Sequence, residues 1–194
     1  MVNNAPGATT LATSGSTTLR GTTSGAVNVT AGETAPTGAG ANTAGNWAIS
    51  VGNLTAGSAS LTTKNGTGNA ATDGISGDIT QQAGTTLRTE GAFSATTYGA
   101  NVTLANSGNN FGALTLASAG ADIALTESST LNIAAVNAGA NKQITLVSEN
   151  GSIIQTAAGT GITGGAGAAA AISLTAAKGN ITLNGTNEIG RAHV

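Results

Sequence analysis

Short apolar triplets, separated by polar and turn-forming residues, recur along this chain. Each triplet carries an apolar residue, a small or polar residue and a second apolar residue. The triplets are Val27–Val29, Ile49–Val51, Val102–Leu104, Leu114–Leu116, Ile123–Leu125, Leu131–Ile133, Ile144–Leu146, Ile172–Leu174 and Ile181–Leu183. Because successive side chains of a strand point to opposite faces, the outer two residues of each triplet face one side. The pattern predicts short strands with one buried face and one solvated face.

The triplets return in a fixed register. Leu104, Leu125 and Leu146 follow one another at intervals of about 21 residues, and the segments 144–153 and 172–181 repeat the same order of apolar residues and glycine. A meander of hairpins does not require the register to return after three strands, whereas a coil stacked on the previous coil does. The sequence predicts an all-β fold, a single-stranded parallel β-helix (solenoid) of roughly nine coils and about 40 Å in length.

Polar residues mark the predicted corners. An Asx or Glx residue stands directly before a strand core at Asp78, Asn101, Asp122, Gln143 and Asn180. Short amide and carboxylate side chains bond backbone groups at corners and bond each other when they are stacked, so we interpret this set as a corner ladder. Turns with positive φ are expected at five Asn- and Gly-containing sites, which are 106–108, 137–139, 150–151, 178–180 and 184–185.

Two regions depart from the repeat. Residues 1–45 contain few large apolar side chains and are expected to form thin N-terminal coils or an irregular segment. The β-helix repeat region is expected over 46–194. Within it, a Gly- and Ala-rich stretch makes the interval between Ile144 and Ile172 longer than the two before it, which predicts a loop excursion at 157–171.

Composition excludes several classes of protein. Only 7% of the residues are charged and 2% are aromatic, and glycine fills 30 positions, so a conventional core of large side chains is not expected. The net charge is −2, and the six basic residues are scattered singly, which argues against nucleic acid; they are Arg20, Lys64, Arg88, Lys142, Lys178 and Arg191. Cysteine is absent, so no disulfide or thiolate metal site is expected.

The sequence pattern predicts neither a signal peptide nor a transmembrane segment in this stretch of chain. The N-terminus lacks a basic n-region and an apolar h-region, and no apolar run reaches the roughly 18 residues that span a bilayer. If the protein is exported, we expect this chain to be an internal piece of a longer one.

Three stretches resemble a known family: 172–190, Ala121–Leu125 and Asn110–Leu116. They are similar to the shaft repeats of filamentous-haemagglutinin-like adhesins, bacterial exoproteins often exported by two-partner secretion. The resemblance covers about 46–190. It implies a right-handed β-helical rod, secreted or on the cell surface, whose parent protein engages host-cell or surface glycans or receptors and an outer-membrane secretion partner. The secretion domain of that family carries Asn-Pro-Asn motifs, and none occurs here, so the chain is expected to be shaft.

Candidate chemical sites have simpler structural interpretations. Gly159–Gly164 fits the G-x-G-x-x-G pattern, but strand repeat rather than a helix follows it. Gly164–Gly167 begins like a calcium-binding repeat and lacks the aspartate ligand. The acidic residues considered are dispersed: Asp73, Asp78, Glu90, Asp122, Glu127, Glu149 and Glu188. Asp78 and Asp122, two coils apart, have the spacing of an inverting carboxylate pair and also the corner interpretation. His193 is expected in a terminal tail.

Aromatic residues, asparagine sequons and outward threonines also have structural interpretations. Phe93 and Phe111 are expected in the core, with Trp47 and Tyr98 partly exposed. Seven Asn-x-Ser/Thr sequons are attributed to composition, namely those at Asn28, Asn53, Asn65, Asn101, Asn150, Asn180 and Asn184. Outward threonines suggest an ice-binding face that Ala124 and Ser173 interrupt; they are Thr80, Thr103, Thr115, Thr145 and Thr182.

The sequence therefore predicts a non-enzymatic spacer with no catalytic, cofactor-binding or metal-binding residue. Two other classes stay open, a carbohydrate-active β-helix enzyme that uses Asp78 or Asp122 and a glycan- or receptor-binding module that uses Trp47 or Tyr98. Exposed strand edges at the two ends predict end-to-end association.

Overall fold

A computed structural model describes residues 8–13, 15–32, 47–64, 76–118, 120–139, 141–156, 161–164, 171–185 and 187–189. These residues form strands and connections, with no helix among them. His193, Asp73 and Asn65 lie outside the described residues, as do Arg191 and the first two residues of the G-x-G-x-x-G match.

The strands belong to two sheets. The smaller sheet contains eight strands, which are β2 (Thr17–Thr22), β4 (Ile49–Ala56), β6 (Ile79–Gln81), β7 (Leu87–Thr89), β9 (Val102–Leu104), β11 (Ile123–Glu127), β13 (Ile144–Ser148) and β16 (Ile172–Ala176). The larger sheet contains ten, which are β1 (Thr9–Thr13), β3 (Ala26–Ala31), β5 (Ser58–Thr63), β8 (Phe93–Thr96), β10 (Ala113–Ala117), β12 (Leu131–Gly139), β14 (Ile153–Gln155), β15 (Ile162–Gly164), β17 (Ile181–Thr182) and β18 (Glu188–Ile189).

Every strand pair in both sheets is parallel. Along the chain, strands of the two sheets alternate for most of the length, and each return to a sheet pairs with an earlier strand of that sheet. We call one passage of the chain through both sheets a level. A hairpin meander requires antiparallel neighbours, so it is excluded for these strands. Two parallel sheets built level by level are consistent with the predicted solenoid.

The four apolar triplets that begin at Val102, Ile123, Ile144 and Ile172 stack in register, as predicted. Val102 pairs with Ile123, Ile123 with Ile144, and Ile144 with Ile172. The third residues of these triplets form a second column, which is Leu104, Leu125, Leu146 and Leu174. The first three members of each column are at most 1% exposed, so the period-2 pattern directs them into a single core cluster between the sheets.

The predicted repeat of about 21 residues holds in one region of the chain, and elsewhere the prediction is wrong. The predicted interval holds from Val102 through Ile123 to Ile144, whose strands pair without a change of spacing. The interval is longer from Ile144 to Ile172, and longer still from Thr17 to Ile49. The β13–β16 pair keeps its register over all five residues, whereas the β2–β4 pair shifts register between Leu19 and Gly21. The longest path of neighbours in the larger sheet contains eight strands, which corresponds to about 34 Å along the stack.

Glycines at the predicted turns serve two different purposes. Gly108 and Gly139 have positive φ, as expected, and Gly139 ends β12 rather than lying in a loop. Gly151 instead has ordinary φ, and a Cβ there would lie 2.5 Å from the Thr130 nitrogen. The same holds at Gly179, where a Cβ would lie 2.6 Å from the backbone of Gly151. At these two corners glycine is required because successive levels approach closely.

The two regions that depart from the repeat contribute strands to the same sheets. In the segment 1–45, β2 pairs with β4 and β3 pairs with β5, so its described strands continue the stack. The division at residue 45 itself stays a prediction. Within the predicted excursion at 157–171, Ile162–Gly164 form β15, which pairs with β12 and β18. Apart from Gly161 and Ala171, the rest of that excursion lies outside the described residues.

Candidate functional site

The corner ladder is the most regular polar feature of the described chain. The Asp78 Oδ1 accepts a hydrogen bond from the Asn101 nitrogen at 2.8 Å, and the Asn101 Oδ1 accepts one from the Asp122 nitrogen at 3.0 Å. The Asp122 Oδ1 in turn accepts one from the Gln143 nitrogen at 2.9 Å. Each side chain therefore bonds the backbone of the next level, rather than its own backbone or the neighbouring side chain as predicted.

Backbone bonds run along the same corner in the opposite direction. The nitrogens of Ile79, Val102 and Ile123 donate to the carbonyls of Asn101, Asp122 and Gln143, at 2.9 to 3.1 Å. The corner residue thus donates its N–H to a side chain of the level before it, and its C=O accepts a hydrogen bond from the backbone of that level. This reciprocal pairing satisfies groups that the end of a strand otherwise leaves open.

Asn180 belongs to a different corner. Its nitrogen donates to the Ser152 Oγ at 3.1 Å, and the Ser152 nitrogen donates to the Thr130 Oγ1 at 3.4 Å. The strands that follow these residues all lie in the larger sheet, whereas Asp78, Asn101, Asp122 and Gln143 precede strands of the smaller sheet. The assignment of Asn180 to the first ladder is therefore wrong. The two triplets that follow Asn101 and Asn180 look alike in sequence, and only the pairing separates them.

The buried Asn109 and the half-buried Gln81 form an amide cluster that the sequence analysis missed. Asn109 is 0% exposed and pairs reciprocally with Gln81: the Gln81 Nε2 donates to the Asn109 Oδ1 at 2.7 Å, and the Asn109 Nδ2 donates to the Gln81 Oε1 at 2.9 Å. The Asn109 Oδ1 also accepts from the Leu87 nitrogen at 2.9 Å. Its Nδ2 donates to the carbonyls of Leu104 and Thr126. One side chain therefore joins four strands, from β6 to β11.

The sequence carried a signal for this cluster. In the segment 79–81 an amide takes the third place of a triplet, where an aliphatic residue is usual, and the same occurs in 153–155. Gln155 is also buried, and its Oε1 accepts from the Gly185 nitrogen at 3.0 Å and the Asn187 Nδ2 at 3.1 Å. Among the described residues, no buried side-chain nitrogen or oxygen lacks a hydrogen-bond partner. These amides are satisfied structural groups within the stack.

Glu127 is a fully buried carboxylate at the end of β11. Its Oε2 accepts from the Phe111 nitrogen at 2.8 Å. Its Oε1 accepts from the nitrogen and the Oγ of Ser129, at 3.1 and 2.8 Å. Burial raises the pKa of Glu127 above its ordinary value, against the opposing effects of these hydrogen bonds and of the Arg88 charge.

The remaining acidic residues that the structure describes are not assembled into one cleft. Asp78 and Asp122 lie on the corner ladder with Asn101 between them, so they are two levels apart, or about 10 Å at one strand spacing per level. Each uses one carboxylate oxygen to hold the next level. Glu90 is exposed, Glu149 is half-buried, and Glu188 lies on β18. In the described ranges, no group of three or more His, Asp or Glu residues has the arrangement of a metal site.

The aromatic residues lie where the sequence predicted. Phe93 and Phe111 are buried, with ring centroids 4.8 Å apart and planes tilted by 42°. Trp47 and Tyr98 are half-buried, and Trp47 packs against the core. A Cβ at Gly15 would lie 3.8 Å from the Trp47 ring, so the preceding level borders one side of this side chain.

The threonines proposed as one outward row are divided between the two sheets. Thr80, Thr103 and Thr145 share a row of the smaller sheet, with Ala124 and Ser173 in the same row. Thr115 and Thr182 lie in the larger sheet. The predicted five-threonine row is therefore wrong. The glycines of the G-x-G-x-x-G match that the structure describes lie at Gly161, before β15, and at Gly164, in that strand.

Comparisons with protein-family models, curated proteins and solved structures found no match to this chain. Within the described ranges, none of the segments is an apolar helix of membrane-spanning length.

Proposed function

We propose that this chain is a structural shaft segment of a secreted or cell-surface bacterial adhesin, folded as a single-stranded right-handed parallel β-helix that acts as a stiff, non-enzymatic spacer. The observation that carries the proposal is the in-register column of Val102, Ile123, Ile144 and Ile172 beside the corner ladder. Each level is tied to the next by backbone bonds, corner side chains and aliphatic contacts. Bending such a stack requires all three to be strained together.

Right-handedness, export by two-partner secretion and contact of the parent protein with host-cell or surface glycans or receptors come from the family resemblance over 46–190. The repeated strand and corner pattern supports them as parts of the same proposal. A spacer needs uniform mechanical contacts along its length rather than one assembled cleft. The dispersed carboxylates and the satisfied buried amides fit that requirement.

A deletion of one whole level tests the spacer proposal. Removing residues 123–143 joins Asp122 to Ile144, so that Ile144 follows a corner aspartate as Ile123 does now. We expect this variant to fold and to shorten the particle by about 5 Å in small-angle X-ray scattering, which is one strand spacing. A matched deletion of 123–132 places β12 residues over smaller-sheet positions and is expected to unfold part of the chain. Equal effects of the two deletions would contradict a level-by-level shaft.

The competing proposal, a carbohydrate-active enzyme, rests on Asp78 and Asp122. Their separation suits an inverting pair, in which one carboxylic acid protonates the leaving group and the other carboxylate activates water. Their role in the corner ladder gives a structural reason for both residues. A screen for polysaccharide turnover with Asp78→Ala and Asp122→Ala separates the two. Turnover that both variants lose would establish the enzyme and overturn the spacer, and no turnover leaves the spacer proposal in place.

The third class, a glycan-binding module, has Trp47 and Tyr98 as its first candidates because both rings are half-buried. Glycan binding by this chain that Trp47→Ala or Tyr98→Ala abolishes would show a binding role for the segment itself. The spacer proposal predicts no binding by the wild-type chain to the glycans that the parent protein engages.

A further inference from the structure

Glu127 is the one buried ionisable side chain in the described ranges that sits between two levels with donors on both of its oxygens. Phe111 belongs to the level of β9 and β10, and Ser129 to the level of β11 and β12. The carboxylate accepts one bond from the first and two from the second. Three donors and no acceptor surround it in these contacts, which is an arrangement that suits the ionised form.

Protonation of the carboxyl must disturb this arrangement. A carboxylic acid carries an O–H that has to donate, yet each oxygen of Glu127 faces groups that also donate. A proton on Oε2 would face the Phe111 N–H, and Phe111 is 3% exposed, so that N–H would be left without an acceptor in the core. Such an orphaned donor costs about 1–3 kcal/mol.

A proton on Oε1 finds a hydrogen-bond acceptor more easily. It points at the Ser129 Oγ, and a hydroxyl can accept as well as donate. Ser129 is half-buried, so its own O–H can turn toward solvent. The same Oγ already accepts from the Asn110 Nδ2 at 3.3 Å. The protonated Oε1 is then a poor acceptor, so the Ser129 N–H loses most of its hydrogen bond, while the Phe111 N–H keeps Oε2.

We propose that Glu127 is a pH-operated latch: when ionised it holds the bend at Ser128–Ser129 against the Phe111 level, and when protonated it releases the Ser129 amide while keeping the Phe111 amide bound. The latch acts locally within the stack. It does not depend on the spacer proposal, because it follows from the contacts of one side chain.

The charged groups around the latch favour different states. Arg88 on β7 stabilises the ionised form. Glu149 follows β13, and its nitrogen donates to the main-chain oxygen of Glu127 at 2.9 Å. The segment 105–112 and strand β12 carry no titratable side chain. Burial opposes the ionised form and is the largest effect, so the pKa of Glu127 is raised and its protonation is reached at a higher pH than for an ordinary glutamate.

The test follows the carboxyl carbon of Glu127 and the amides of Ser129 and Phe111 by NMR in the intact chain. We expect the carboxyl to titrate above the ordinary glutamate pKa. Over the same pH range, hydrogen-exchange protection of Ser129, corrected for the intrinsic effect of pH, is expected to fall about tenfold, as for the loss of one net hydrogen bond. Phe111 protection is expected to stay constant.

Glu127→Gln provides an independent arm, because its amide can donate from Nε2 to the Ser129 Oγ and accept at Oε1 from Phe111. This variant is expected to show low Ser129 protection and high Phe111 protection at neutral pH, like the acid form of the wild type. Glu149→Gln is the matched control and is expected to behave as the wild type. A Glu127 carboxyl that titrates at or below the ordinary value, or acid loss of Phe111 protection, overturns the latch. The wild-type titration tests the latch proposal even if Glu127→Gln fails to fold.

Discussion

Truncation of Ile144 to alanine probes the stacked aliphatic column at its centre. Ile144 is 0% exposed and pairs with Ile123 on one side and Ile172 on the other. The neighbouring strands on both sides are held by their own register, so they cannot easily move in to fill the space. The cavity is therefore expected to persist.

The expected loss in the free energy of unfolding is about 3 kcal/mol, within the range of roughly 2–5 for buried isoleucine to alanine. For a chain of this size, that loss lowers the midpoint of thermal unfolding by about 6–12 °C. The assay is urea and thermal unfolding followed by far-UV circular dichroism. Thr145→Ala, on the exposed face of the same strand, is the matched control and is expected to change stability by no more than about 0.5 kcal/mol.

Ile172→Ala adds an internal comparison. Ile172 lies in the same column but in β16, the last strand of the smaller sheet, and is only partly buried. Its truncation is expected to cost clearly less than that of Ile144, because less apolar surface is lost from the core. Equal losses for Ile144→Ala and Thr145→Ala would refute the claim that the triplet period directs one residue inward and the next outward.

Four further outcomes are expected. Gly112→Ala should prevent folding of its level or cost several kcal/mol, because a Cβ there would lie 2.1 Å from the carbonyl oxygen of Gly91; circular dichroism of the purified variant checks this. Asn101→Ala should cost about 1 kcal/mol in urea unfolding through one lost corner bond. Asn109→Ala should lower the free energy of unfolding more than Asn101→Ala in the same assay, because it leaves the hydrogen-bond partners of Asn109 on several strands unsatisfied. The raised pKa of Glu127 contributes stability that is present below the ordinary glutamate pKa and lost as pH rises through the raised value, so wild type should lose stability relative to Glu127→Gln as the pH rises above the ordinary glutamate pKa.

The column from Val102 to Ile172 could be predicted because the apolar residues of its triplets obey a period of two. Such local alternation is displayed directly by a sequence. The burial of Phe93 and Phe111 and the partial exposure of Trp47 and Tyr98 were predicted from the residue types instead.

Features that depend on pairing partners were not accessible in the same way. Asn180 precedes a triplet just as Asn101 does, and only the level on which each strand pairs assigns them to different corners. Gly151 stands in an Asn-Gly pair that suggests positive φ, whereas its real constraint is the backbone of the adjacent level. Asn109 lies outside any triplet, so its burial follows from the strands that surround it.

End-to-end association stays a separate prediction from the strand edges. Leu11 on β1 is 38% exposed and Ile181 on β17 is 45% exposed, and these strands are the first and last on the main path of the larger sheet. Unpaired edge strands with exposed apolar residues favour association. Light scattering over a range of concentrations is expected to show growth of the particle, and a monomer at all concentrations would count against it.

The level-by-level stack is tested most directly by one distance. The chain has no cysteine, so spin labels can be placed at Thr18→Cys and Ser173→Cys alone, on the outward row of the smaller sheet. Six strand spacings separate these positions through Ser50, Thr80, Thr103, Ala124 and Thr145. Double electron–electron resonance is predicted to give one narrow distribution of distances between the two labels, centred at about 29 Å. A broad distribution, or a centre far from that value, would contradict the stack.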